Sequence, residues 1–187
     1  MLYFTALGLL IRSTMTAVDD SPLGLFSVDL YARTGVATSC LTLQDHVNAD
    51  VCMILCLLWL AQHRRVLDRR DIDVLEGLTA PWNKTIVRPL RTVRRALKKS
   101  NRLLDNVATH DALKDLKKLE LETEMLQLKR LYDDGKVMHW GQHSDSISAA
   151  AQRNLNTYSE LLSTTFPRSD VDLLIAATLA SEADQLG

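Results

Sequence analysis

Four groupings in this 187-residue chain hold residue types that could do chemistry. His139 and His143 stand four apart, with Asp145 two further on, in the run HWGQHSD. Histidines at i and i+4 of a helix can both reach a zinc ion, which takes nitrogen, sulfur or oxygen donors. Here Gly141 separates them, the run reads as a loop, and no glutamate of the metalloprotease kind accompanies them, so a polar connection is expected. Cys52 and Cys56 are also four apart, with Cys40 upstream, but all three lie in apolar helical context. Buried cysteine there behaves as a small hydrophobe. Asp45-His46 has the composition of an acid-base pair, yet sequence neighbours point to different sides of a helix. Asp133-Asp134-Gly135 lacks the remaining ligand positions of a calcium loop. No catalytic residue, metal or cofactor is assigned.

The strongest chemical signal is electrostatic. Residues 81–104 carry Lys84, Arg88, Arg91, Arg94, Arg95, Lys98, Lys99 and Arg102 and no acid, while the rest of the chain holds 14 basic against 23 acidic residues. Six of these cations recur at spacings of 4, 3, 4, 3 and 4, which places them on one narrow arc of a helix. Trp82, Ile86, Leu90, Val93, Leu97 and Leu104 fall on the opposite arc, roughly 80° wide at 100° per residue. Arg91, Arg95 and Lys98 are thus expected to point away from the core. Like charges on adjacent turns repel by a few tenths of a kcal/mol per pair, so something must offset them. Glu120, Glu122 and Glu124 on the next helix are internal candidates, and an external polyanion is the other possibility.

The elements that position this stripe are helical. Glycine and proline are scarce, leucine, alanine and charged residues are common, and no strand-like alternation occurs. The organising stretch is Val51 to Ala61, VCMILCLLWLA, eleven apolar residues in succession. A helix without a polar side belongs inside a bundle, and a bilayer span needs ~20 such residues. The expected fold is all-α, a single-domain bundle of about six or seven helices around 51–61. Ser21-Pro22 caps a first helix that Gly35 ends, and a second runs from Val36 to about Asn48. A short helix follows the charged turn Asp68–Asp71, with Ile72, Leu75 and Leu78 inward, and Pro89 predicts a kink or break in the basic helix. Asp111–Tyr132 bears two leucine stripes, so it either sits between neighbours or lends one side to a second copy as a homodimer contact. Helices from Ile147, capped by Ser144 or Asp145, and from Asp170 complete the bundle. Residues 1–20 read as a leader or upstream extension ahead of a single domain over 21–187, with Met15 the expected natural start.

The runs LYARTGV, CLTLQD, LLWLA and PWNKTIVRPLRTVRRALK, in that order, resemble a proteobacterial family of small helical proteins of unknown function. The likeness covers about residues 23 to 132. It implies a helical fold and supplies no activity, cofactor or catalytic residue.

An odd, small number of cysteines argues for reduced thiols and a cytoplasmic protein. The functional expectation is a non-catalytic interaction or scaffold protein that presents the cationic face 84–102 to an acidic protein partner. The alternatives are a small enzyme with a pocket between helices, which would turn Asp29, His46 or His63 into the core, and a nucleic-acid-binding protein. The last is the weaker, because the stripe has no aromatic residues on which bases could stack.

Overall fold

A computed structural model of the protein describes residues 20–100 and 106–183. All of the leader but Asp20, together with Arg102 and Leu104, lies outside the described residues. The helices are α1 (Pro22–Ala32), α2 (Val36–Val47), α3 (Val51–Gln62), α4 (Arg69–Trp82), α5 (Arg88–Ser100), α6 (Val107–Asp133), α7 (Ile147–Leu161) and α8 (Arg168–Ala183). Because α4 runs into α5 through a π-helical turn, Asn83–Val87, the described residues make seven helical rods. Their only sheet is two residues wide: β1 (Arg65–Val66) pairs antiparallel with β2 (Gln142–His143), Arg65 opposite His143. None of the helices is long and apolar enough to cross a membrane.

Every residue from Cys52 to Ala61 is buried. Helices α1, α2, α6, α7 and α8 all pack on α3. The two ends of so dry a helix need internal partners, since water cannot supply them. At the first turn Asp50 caps Cys52 N at 2.9 Å, while its other carboxylate oxygen accepts from Gln127 Nε2 at 2.5 Å. Asp50 N donates to the Tyr158 hydroxyl at 3.0 Å. Near the other end Asn154, fully buried on α7, donates to the carbonyls of Leu57 and Arg65 and accepts from Leu67 N. The strand pair closes this end, and Gly141 lets β2 approach. Its φ is +74°, and a Cβ there would stand 2.4 Å from the Val66 carbonyl oxygen.

Three sequence expectations shift. Ser146, rather than Ser144 or Asp145, caps α7 by accepting from Ala149 N. The loop around HWGQHSD contains a single 3-10 turn, Val137–His139, followed by β2, which the sequence reading did not include. Pro89 interrupts no helix, because the π-turn directly before it absorbs the change. That turn carries an i to i−5 bond, Arg88 N to Asn83 O. It inserts about one extra residue and so rotates everything after it by about 100°. Val93, expected inward, is 52% exposed, whereas its neighbour Arg94 is half-buried.

Asn154 satisfies three backbone groups at once, so removing its amide should be costly. Asn154→Leu is expected to destabilise the protein by about 3 kcal/mol, because polar groups are stranded in the core. Urea unfolding checks this, and an unchanged midpoint would contradict the role.

Candidate functional site

The rotation at the π-turn brings two of the stripe arginines against α6. Arg91 donates from Nε to Glu120 at 3.0 Å and from Nη2 to Glu124 at 2.6 Å. Arg94 grips Glu120 through Nε and, at 3.2 Å, through Nη2. Glu120 and Glu124 are four apart and share a helix face, whereas Glu122 points elsewhere and meets Lys118 at 3.8 Å. The expectation that Arg91 faces solvent is therefore corrected: its side chain is 13% exposed and Glu120's is 8%. Arg94 is 24% exposed.

This network forms one wall of a slot of about 250 Å³ between α1, α2, α3, α5 and α6. Most of the remaining lining is apolar: Val28, Leu41, Val51, Leu55, Leu121, Met125 and Leu128. Lys117 joins Arg91 and Arg94 at the charged wall, which gives three cations against two carboxylates. Burial, reinforced by Arg94 and Lys98, lowers the Lys117 ammonium. Burial pushes Glu124 up to about 7 against the pull of Arg91, with Glu120 adding to the rise. The Ser27 hydroxyl, 1% exposed, lines the slot without a hydrogen-bond partner among the described residues. Tyr31 and Cys52 also line it, and burial raises both so that they stay protonated at neutral pH.

The other stripe cations take different places. Arg88 donates from Nε to Asn83 Oδ1 at 2.7 Å and from Nη2 to the Asn48 carbonyl at 3.1 Å. Arg95 pairs with Asp45 on α2 at 2.6 Å and is 47% exposed. Lys84, Lys98 and Lys99 are exposed. A second pocket of about 190 Å³ lies between the end of α2 and the π-turn and start of α5, and Gln44 and Arg91 line both pockets.

The residues nominated from sequence for an enzymatic core sit elsewhere. Asp29 pairs with Arg33 at 3.0 Å, His46 is exposed, and exposed His63 lies tilted against the Trp59 ring with its Nδ1 2.9 Å from the Trp59 carbonyl oxygen. Among the described residues no three His, Cys, Asp or Glu side chains gather to hold a metal. Sequence reasoning missed Ser27, Tyr31, Gln44 and Lys117 as slot residues. Only the spacing of Glu120 and Glu124 carried a signal.

Fold and site together define a helical bundle with a pocket between helices, walled by a shared arginine–glutamate network. The chain belongs to a family of proteins of unknown function (DUF2390), whose profile matches residues 23–131. Every residue that lines either pocket lies inside that span, whereas α7 and α8, which close the far side of α3, lie beyond it. No curated protein and no solved structure matches the chain.

Glu124 makes the network sensitive to pH. Its folded value, about 7, stands above the ordinary 4.5, so the folded state binds the proton more tightly than the unfolded chain. Stability from this group is complete below about pH 4.5 and is lost as pH rises through 7. Relative to Glu124→Gln, the wild type should lose on the order of 2 kcal/mol between pH 4.5 and 7.5 and nothing more above that. Unfolding free energies measured across this range check the expectation, and parallel curves for the two proteins would contradict it.

Proposed function

We propose that the protein is a non-catalytic binding protein whose slot takes a small molecule with an apolar body and one acidic group. The observation that carries this reading is the slot itself. It is an apolar cleft between five helices, edged by three cations against two carboxylates, with a buried and unpartnered serine hydroxyl inside it. Small-molecule sites are built in this way, from apolar walls with a few polar groups that fix orientation. One of the carboxylates titrates near neutrality, which leaves a surplus of positive charge for the ligand's acid. Arg94 and Lys117 are the residues assigned to it. The reading is non-catalytic because Tyr31 and Cys52 are held protonated, so neither offers a nucleophile. Three unpaired, buried cysteines support a reducing, cytoplasmic setting.

A second reading keeps the outer side of α5 as a docking face for an acidic protein. What favours it is the exposure of Lys84, Arg95, Lys98 and Lys99 on α5 and the turn before it. Arg91 and Arg94 do not belong to that face, and the position of Arg102 is not described. For a second copy of the chain, Leu119 and Leu126 offer 45% exposed surface on 111–132, while buried Leu128 packs internally.

Isothermal titration distinguishes the two. Decanoate should bind the wild type saturably with one site, and decyltrimethylammonium should not. Leu121→Trp fills the slot from a half-buried position and should abolish decanoate binding, Arg94→Gln should weaken it about tenfold, and Lys98→Glu with Lys99→Glu should leave it unchanged. Equal binding of the anionic and cationic probes, or binding indifferent to Leu121→Trp, would contradict the slot reading.

A further inference from the structure

The second pocket holds chemistry that the slot does not use. Its lining includes Arg88, Arg91, Arg95, Asn48 and Asn83, with Gln44 and Asp45 facing them from α2. Among the described residues both hydrogen-bond partners of Arg88 are uncharged oxygens, and Glu76 meets its charge only at longer range. These two bonds hold its guanidinium in place and leave N–H donors over. The amide of Asn83 accepts through its oxygen and so presents its NH2 group as a donor. The π-turn is what places this buried asparagine beside the arginines, and such turns recur at functional sites.

Asp45 shows what the pocket is built to receive. A single carboxylate oxygen, Oδ1, accepts from Arg95 Nη2 at 2.6 Å and from Gln44 Nε2 at 3.1 Å. Donors from α2 and α5 thus converge on one anionic oxygen, although Asp45 is 43% exposed and free to swing outward. Burial alone would raise this carboxyl, and the bonds from Arg95 and Gln44 hold it below its usual range. An exposed side chain is readily displaced by a ligand of higher charge, because its own pairing is worth little in water.

We propose that the polar pocket is a binding site for a phosphate group, whose oxygens replace the Asp45 carboxylate between Arg95, Gln44, Arg88 and Asn83. A carboxylate has two oxygens and would leave part of this donor set unused. A phosphate monoester offers three oxygens and nearly two negative charges, and arginine forks fit them bidentately. The site lies outside the apolar slot and does not depend on the slot being filled.

The test is calorimetric titration at pH 7.5 with inorganic phosphate and, separately, with glycerol 3-phosphate, against sodium chloride of matched ionic strength. At least one of the two is expected to bind with one site, and the arm that binds more tightly tells whether free phosphate or a phosphorylated small molecule is the natural source. Asp45→Asn removes the competing charge and should tighten binding about tenfold, while Arg95→Gln should weaken it at least about tenfold. Both positions are on the surface, so both variants are expected to fold, and decanoate binding to the slot should be the same in each. Binding of neither phosphate compound beyond the chloride control overturns the proposal. So does binding that Asp45→Asn and Arg95→Gln leave at the wild-type affinity.

Discussion

The structure depends on one constraint: α3 has no side that water can touch. Ten consecutive buried residues must be covered from all directions, so five helices gather round it, and each end of the helix has to find its polar partners inside the protein. Asp50, Gln127 and Tyr158 meet this need at the first turn, and Asn154 ties Leu57 to Arg65 and Leu67 in the segment that leaves the other end. These partners come from α6 and α7, so the hydrogen bonds that finish α3 also fix where those helices lie. Burial raises Asp50 despite its bond from Gln127, so acid and amide form a costly pair that is retained because the helix must be capped. The same enclosure explains the thiols: burial pushes Cys40 and Cys56 up to about 12.

A second layer follows from the charge imbalance. Helix α5 packs chiefly along α6. A helix so rich in cations would repel itself, and the structure answers on one side with Glu120 and Glu124 and on the other with Asp45. Buried ion pairs of this sort give up hydration that their attraction only partly restores, which makes them weak evidence for stability alone. Their position is more telling. Arg91 contacts both pockets, so one guanidinium stands between an apolar slot and a polar one.

The sequence made the fold class legible because its signal was large and local. Eleven apolar residues in succession admit few arrangements, and α3 runs over Val51–Gln62 as that run implies. The family likeness, which the profile match places over residues 23–131, was legible too. The orientation of the basic helix was not. Counting 100° per residue from Trp82 put Val93 inside and Arg91 outside, and one π-turn reversed both. Nothing in Asn83–Val87 marks a wide turn beforehand, since its geometry is set by Pro89 and by packing on α6. The two strands were hidden for a different reason: pairs of residues are too short to alternate, and Arg65 meets His143 through tertiary closure. The slot escaped notice because its walls come from five helices, and no local spacing records which side chains will converge. Glu120 and Glu124 were the exception, since the i, i+4 relation is a local one.

An apolar acid is the ligand proposed for the slot beside the arginine–glutamate network. Methyl-resolved NMR of the protein, with leucine and valine methyls assigned, tests it most directly as decanoate is added. Shifts and intermolecular contacts are expected at Val28, Leu41, Val51, Leu55, Leu121 and Leu128, with Leu155 and Leu174 on the far side of α3 unmoved. Shifts spread evenly over all methyls, or confined to exposed Val93 and Leu126, would contradict it.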